Sequence, residues 1–220
     1  MTPRKLYDQE LAWLSDSLEE MSDMVEASLK NLSFAIEHKD DELASKIIKD
    51  DANVNNMERN IESQCLALIT RQQPIASDLR LVSAILKVVT DVERIGDQAS
   101  DIAELILRLN HAELAAYSVH FQPMITAASQ MVHDAVSAFI NRDKEKANSV
   151  IDADDVVDEL FNQVKHDIAE RMKNGNADID ACIDALMIAK YLERIGDHAT
   201  NICEWEIFKE TGAIQDQRIL

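Results

Sequence analysis

The chain has 220 residues, 46% of them hydrophobic but only 5% aromatic, with four glycines and three prolines. So few chain breakers and aromatics point away from β-rich folds and toward an all-helical chain, long enough for one domain or two small ones with a real core. Its 41 acidic against 22 basic residues leave a formal net charge of −19. That argues against nucleic acid or an anionic membrane as the main partner and leaves cations or a basic protein surface as compatible ones.

The first helix begins after Pro3 and runs to about His38. Leu11, Leu14, Leu18, Met21, Val25, Leu32 and Ala35 follow steps of three and four, with Ser28 the weak position. Asp40 reads as the N-cap of a second helix, which carries Ile47, Val54, Ile61, Cys65 and Leu68 and stops before Pro74. The third starts near Ser77 and is the most regular, with apolar residues from Leu81 to Leu109 at unbroken four-three spacing. Residues 110 to 123 are expected to bridge to a second set, whose first helix follows Pro123. Asp143 then stands where Asp40 stood, the fifth helix ends at Asn174-Gly175-Asn176, and the sixth carries Ala185, Ile188, Leu192, Ile195, Ala199 and Ile202. The last dozen residues show no pattern.

The halves match helix for helix. ERIGDQASDIAE, from Glu93 to Glu104, returns as ERIGDHATNICE from Glu193 to Glu204, and such an echo changes the fold expected. The reading is an all-α chain of two tandem antiparallel three-helix bundles, residues 1–112 and 113–220.

The three cysteines (Cys65, Cys182 and Cys203) have no paired spacing and sit in apolar surroundings, which suits buried small side chains rather than disulfides or a zinc site. The N-terminal residues carry acids where a secretory signal has its apolar stretch, and no run is long enough to span a membrane. The cytoplasm is the expected location.

Each motif copy places Glu and Asp at i and i+4, neighbours on a helix face, and spends a glycine in a helix interior at a cost of about 1 kcal/mol. Folding the first hairpin at Pro74 brings Asp51 level with Asp97 and Asn55 level with Glu93. Folding the second beside Gly175 brings Asp154 level with Asp197 and Asp158 level with Glu193. Four oxygen-bearing side chains thus converge twice, on the flank of each bundle rather than in its centre. Carboxylates so placed repel, and a multivalent hard cation would neutralise them. A solvated acidic groove with Arg94 and Arg194 as salt-bridge partners is the alternative. Gly96 and Gly196 would admit a close neighbour. His198, present in one copy only, reads as a surface or supporting residue, and Arg80 as a local cap or pair. No nucleophile–base pair, phosphate loop or Glu-x-x-His ligand motif appears, so a metal-dependent, di-iron-like helical-bundle enzyme is the secondary reading.

The doubled ERIGD motif, the stretch RQQPIASDLR from Arg71 to Arg80 and the two Asp-x-x-x-Asn/Asp pairs resemble the PhoU family over nearly the whole chain. The resemblance implies a cytoplasmic, non-enzymatic, often homodimeric bacterial protein of two three-helix bundles. Such a protein negatively regulates the phosphate-starvation response, working with the phosphate ABC transporter ATPase and a sensor histidine kinase and meeting the membrane only through its partners. It also implies metal clusters of iron, zinc, manganese, magnesium or calcium. Carried over by position, the ligands are Asp51, Asn55, Glu93, Asp97 and Asp101 in the first half, and Asp154, Asp158, Glu193, Asp197 and Asn201 in the second. Asn55 departs from the carboxylate pattern, offering an oxygen without charge.

Overall fold

The structure, a computed structural model, describes residues 3–72, 74–175, 178–214 and 217–218. Six helices follow in order: α1 (Pro3–His38), α2 (Asp41–Gln72), α3 (Ala76–Arg108), α4 (His111–Asn141), α5 (Lys144–Lys173) and α6 (Ile179–Thr211). A two-residue hairpin of β1 (Ala213–Ile214) and β2 (Gln217–Arg218) closes the described chain.

Local chemistry sets the boundaries. Asp40 Oδ1 accepts from Leu43 N at 2.9 Å and Asp143 Oδ1 from Lys146 N at 3.0 Å, so both expected N-caps are made. Each cap follows a residue in the left-handed region, Lys39 (φ 57°) and Arg142 (φ 58°), which turns the chain out of the preceding helix. Gly175 ends α5 at φ +73°.

The fourth helix corrects the sequence reading. It begins at His111, where the Asn110 side chain accepts from Ala112 N and Glu113 N, both at 3.0 Å, and it passes through Pro123. Leu114, Tyr117 and Phe121 are buried at helical spacing before the proline, and Met124, Ile125 and Ala128 after it. Burying both apolar segments outweighs the roughly 3 kcal/mol that an interior proline costs. The chain therefore crosses between its halves at Leu109–Asn110, and the expected bridge of 110–123 does not exist.

Within each half three helices pack together, α1 and α2 on α3, and α4 and α5 on α6. The halves then join along two seams, α3 against α6 and α1 against α4, so that one apolar core runs through both. In α1 the buried stripe steps from Val25 to Leu29 and on to Leu32, past Ser28, whose hydroxyl bonds back to Met24 O at 3.1 Å. Arg80 does not pair locally: its Nε donates to the Lys209 carbonyl at 3.3 Å, tying the start of α3 to the end of α6. All three cysteines are buried and free. Among the described residues no helix is long and apolar enough to cross a membrane.

Candidate functional site

Both motif glycines sit where a hairpin partner crosses closely. A Cβ on Gly96 would lie 3.1 Å from Val54 Cγ1 and 3.4 Å from Asp51 Oδ1; one on Gly196 would lie 3.1 Å from Asp154 Oδ1 and 3.6 Å from Val157 Cγ1. The missing methyl therefore lets α2 approach α3 and α5 approach α6, and brings an aspartate down against each motif. Both hairpins thus adopt the register read from their fold-back points.

In the first half, Asn55 Nδ2 donates to Asp51 Oδ2 at 2.9 Å, which leaves Asp51 Oδ1 and Asn55 Oδ1 buried without a hydrogen-bond partner. Glu93 is 9% exposed, deeper than an open flank would leave it. Its Oε2 lies 3.4 Å from Arg94 Nε but outside hydrogen-bond geometry, and it too is an orphan. Arg94 also donates from Nη1 to Asp97 Oδ2 at 2.8 Å. Burial, then the charge of Asp97, pushes the Glu93 carboxyl up to about 7, and the same two causes raise Asp51.

The second half repeats the pattern in more open form. Asp154 and Glu193 are half-buried, and Asp158 and Asp197 are exposed. Burial, followed by repulsion from Asp197, Asp158 and Glu193, lifts Asp154 to about 6. The compensating cation is Lys190, whose Nζ pairs with Glu193 Oε2. The sequence reading offered Arg94 and Arg194 for this role; Arg94 fills it, and Lys190 fills it in the second half.

The last carried-over pair lies differently. Asp101 accepts a hydrogen bond from the Tyr191 side chain, and burial raises its carboxyl. Asn201 Nδ2 donates to Asp91 Oδ1 at 3.2 Å, and His198 Nδ1 meets the same oxygen at 2.8 Å. Asp101 and Asn201 thus each reach across the α3–α6 seam to the opposite half. Asp91, Lys190 and Tyr191 were not among the residues singled out. Lys190 was legible as the i−3 neighbour of Glu193, whereas Asp91 and Tyr191 gain their places from the docking of the halves.

What the eight convergent side chains could do is bind a hard cation. Oxygen donors suit one, three buried oxygens in the first patch lack partners, and burial, followed by repulsion from neighbouring carboxylates, holds Glu93 and Asp154 above their ordinary range. As the side chains stand, no group of three His, Cys, Asp or Glu among the described residues is placed to hold an ion; Arg94 and Lys190 supply positive charge there instead.

A family model described as the PhoU domain matches residues 18–106 and again 121–205. The chain is 36% identical to the phosphate-specific transport system accessory protein PhoU homolog of Clostridium acetobutylicum, covering 95% of this chain and 96% of that one. It is 32% identical to the PhoU accessory protein of Escherichia coli strain K12, covering 94% and 86%. Among solved structures it resembles the phosphate transport system regulatory protein PhoU of Streptococcus pneumoniae, with a TM-score of 0.89 at 31% identity over 96% of this chain and 99% of that one. It also resembles PhoU of Pseudomonas aeruginosa, with a TM-score of 0.83 at 31% identity over 94% and 100%. Both halves match one domain model and the relatives match over nearly their full length: the chain belongs to the PhoU family.

Proposed function

We propose that the chain serves a phosphate-specific transport system as a cytoplasmic, non-enzymatic regulator. In this reading it is an adaptor, as a homodimer, between the transporter ATPase and a sensor histidine kinase, and it keeps the starvation response off when phosphate is plentiful. The carrying observation is the whole-length kinship with proteins named as accessory or regulatory in phosphate transport. The paired acidic side chains lie where α2 meets α3 and α5 meets α6, Glu93 the most deeply, a place suited to holding helices together.

The twin patches are read as metal sites. Asp51, Asn55, Glu93 and Asp97 would hold the ions of the first half, and Asp154, Asp158, Glu193 and Asp197 those of the second. An ion there supplies the positive charge that the crowded oxygens lack. Loading requires Arg94 to release Asp97 and Lys190 to release Glu193, both being partly exposed side chains able to swing into solvent. Asp101 and Asn201 would join only by leaving Tyr191 and Asp91. In the first half Asn55 contributes an oxygen without charge, so that patch is expected to bind the more weakly of the two.

The adaptor role is tested by deleting the gene and measuring starvation-gene transcription in rich phosphate. The expected result is constitutive expression, silenced again by the wild-type chain; a deletion strain whose genes stay silent would overturn the role.

A further inference from the structure

The two bundles carry equivalent outer grooves that have diverged. Between α1 and α2 a groove of about 440 Å³ is lined by six polar residues, Ser28, Asp50 and Asn53 among them, and by four apolar ones, Met24, Ala27, Val54 and Met57. Between α4 and α5 its counterpart, about 470 Å³, is lined by Ala127, Met131, Val150, Ala153 and Val156, together with the polar Gln130, Asp134, Lys146 and Ser149. With the 103-residue offset of the caps, Ser28 corresponds to Met131, Asp50 to Ala153 and Asn53 to Val156. At its exposed edge the first bundle acts as an internal control: Asn53 stands where Val156 does, so packing does not require an apolar residue there, whereas Met131 and Val150 are buried and belong to the core as well as to the groove floor. Val156 is 52% exposed there, a β-branched apolar residue on a helix surface where its counterpart is an asparagine.

We propose that the α4–α5 groove docks one amphipathic helix of a partner protein, apolar along one stripe and basic along its flank. The groove has the volume of a side-chain-binding cleft and lies between two long parallel walls, as helix-in-groove recognition requires. Charge selects the flank. Glu145, Asp152 and Glu159 recur every seven residues along the outer edge of α5, and all three are exposed. Lys146 does not offset them, because Asp134 holds it at 3.0 Å and Ser137 at 3.2 Å. Such a rim favours a basic helix and disfavours an acidic one. The acidic motif patch adjoins the groove: Asp154, about 100° around α5 from Ala153, lies against Gly196, and Met131 of the groove wall reaches the same glycine.

The proposal does not depend on the metal reading, and its failure would leave the adaptor role untouched. The probe is a labelled 18-residue helical peptide with leucines at i, i+4, i+7 and i+11 and lysines on one flank, compared with a scrambled peptide of equal composition. By fluorescence anisotropy with the full chain, the patterned peptide is expected to bind at least tenfold more tightly than the scrambled one. Val156→Asn should weaken it about tenfold, Asp152→Lys with Glu159→Lys by at least as much, and Asn53→Ala not at all. All these positions are exposed, so folding is preserved and can be checked by circular dichroism. Equal binding of the two peptides, no binding by the patterned one, or unchanged affinity in Val156→Asn would overturn the proposal.

Discussion

Gly96 and Gly196 occupy equivalent places but face different neighbours, and that difference predicts different costs. Alanine in a helix interior gains about 1 kcal/mol over glycine. At Gly96 the new methyl would press on Val54, a buried β-branched side chain with few rotamers open to it, and overpacking of that kind costs about 1–3 kcal/mol. At Gly196 it would press on the Asp154 carboxylate, which can turn away. Urea denaturation of the metal-free protein should therefore find Gly96→Ala destabilised by up to about 2 kcal/mol, and Gly196→Ala neutral or slightly stabilised. A second residue-scale prediction concerns Glu206, fully buried, and Lys209, 7% exposed, which pair with each other. Lys209 Nζ also donates to the Phe139 carbonyl at 2.8 Å and lies over the Phe139 ring. Burial pushes both groups toward their neutral forms. Lys209→Met, which strands a buried carboxyl, should cost about 3–5 kcal/mol in the same assay. Adding Glu206→Leu should recover most of that loss.

Among the elements, α4 carries the clearest internal conflict. Pro123 lies exposed in its middle and withholds a backbone donor. Pro123→Ala should raise stability by about 1–3 kcal/mol, read as an upward shift of the urea midpoint, whereas Asn110→Ala should lower it by about 1 kcal/mol through loss of the cap. The same helix marks the limit of what was legible. Asp40, Asp143, Gly175 and the α3 stripe announce themselves through local chemistry, and the hairpin register follows from where the chain folds back. Pro123 read as a start because a proline ordinarily ends or opens a helix. Only the burial of Leu114, Tyr117 and Phe121 against the rest of the molecule reveals that it does neither. Arg80 was misread for a related reason: its partner, the Lys209 carbonyl, lies 129 residues away. Likewise the depth of Glu93 and the cross-seam bonds of Asp101 and Asn201 depend on how the halves dock, which no local pattern encodes.

For the whole molecule, the α3–α6 seam binds the halves into one core while each keeps its own acidic patch. Those patches impose a pH dependence on the metal-free chain. Asp154 and Glu93 stand at about 6 and about 7, against ordinary values of 3.8 and 4.5. The folded chain therefore holds protons that the unfolded chain has already released. Their contribution to stability is complete below the ordinary values and is lost progressively until pH has passed the folded values, so the melting temperature without metal should fall from about pH 4 to about pH 7. An ion bound to the ionised carboxylates would offset the loss, because ligands that favour the folded state stabilise it. The most direct measurement of the central reading is elemental analysis of the chain purified without a metal-binding tag, beside the variant Glu193→Ala with Asp197→Ala. The account predicts bound metal in the wild type, with the second half's share missing from the variant and the first half's retained. A wild-type chain that carries no metal, and takes up none after incubation with iron, manganese or zinc, would contradict it.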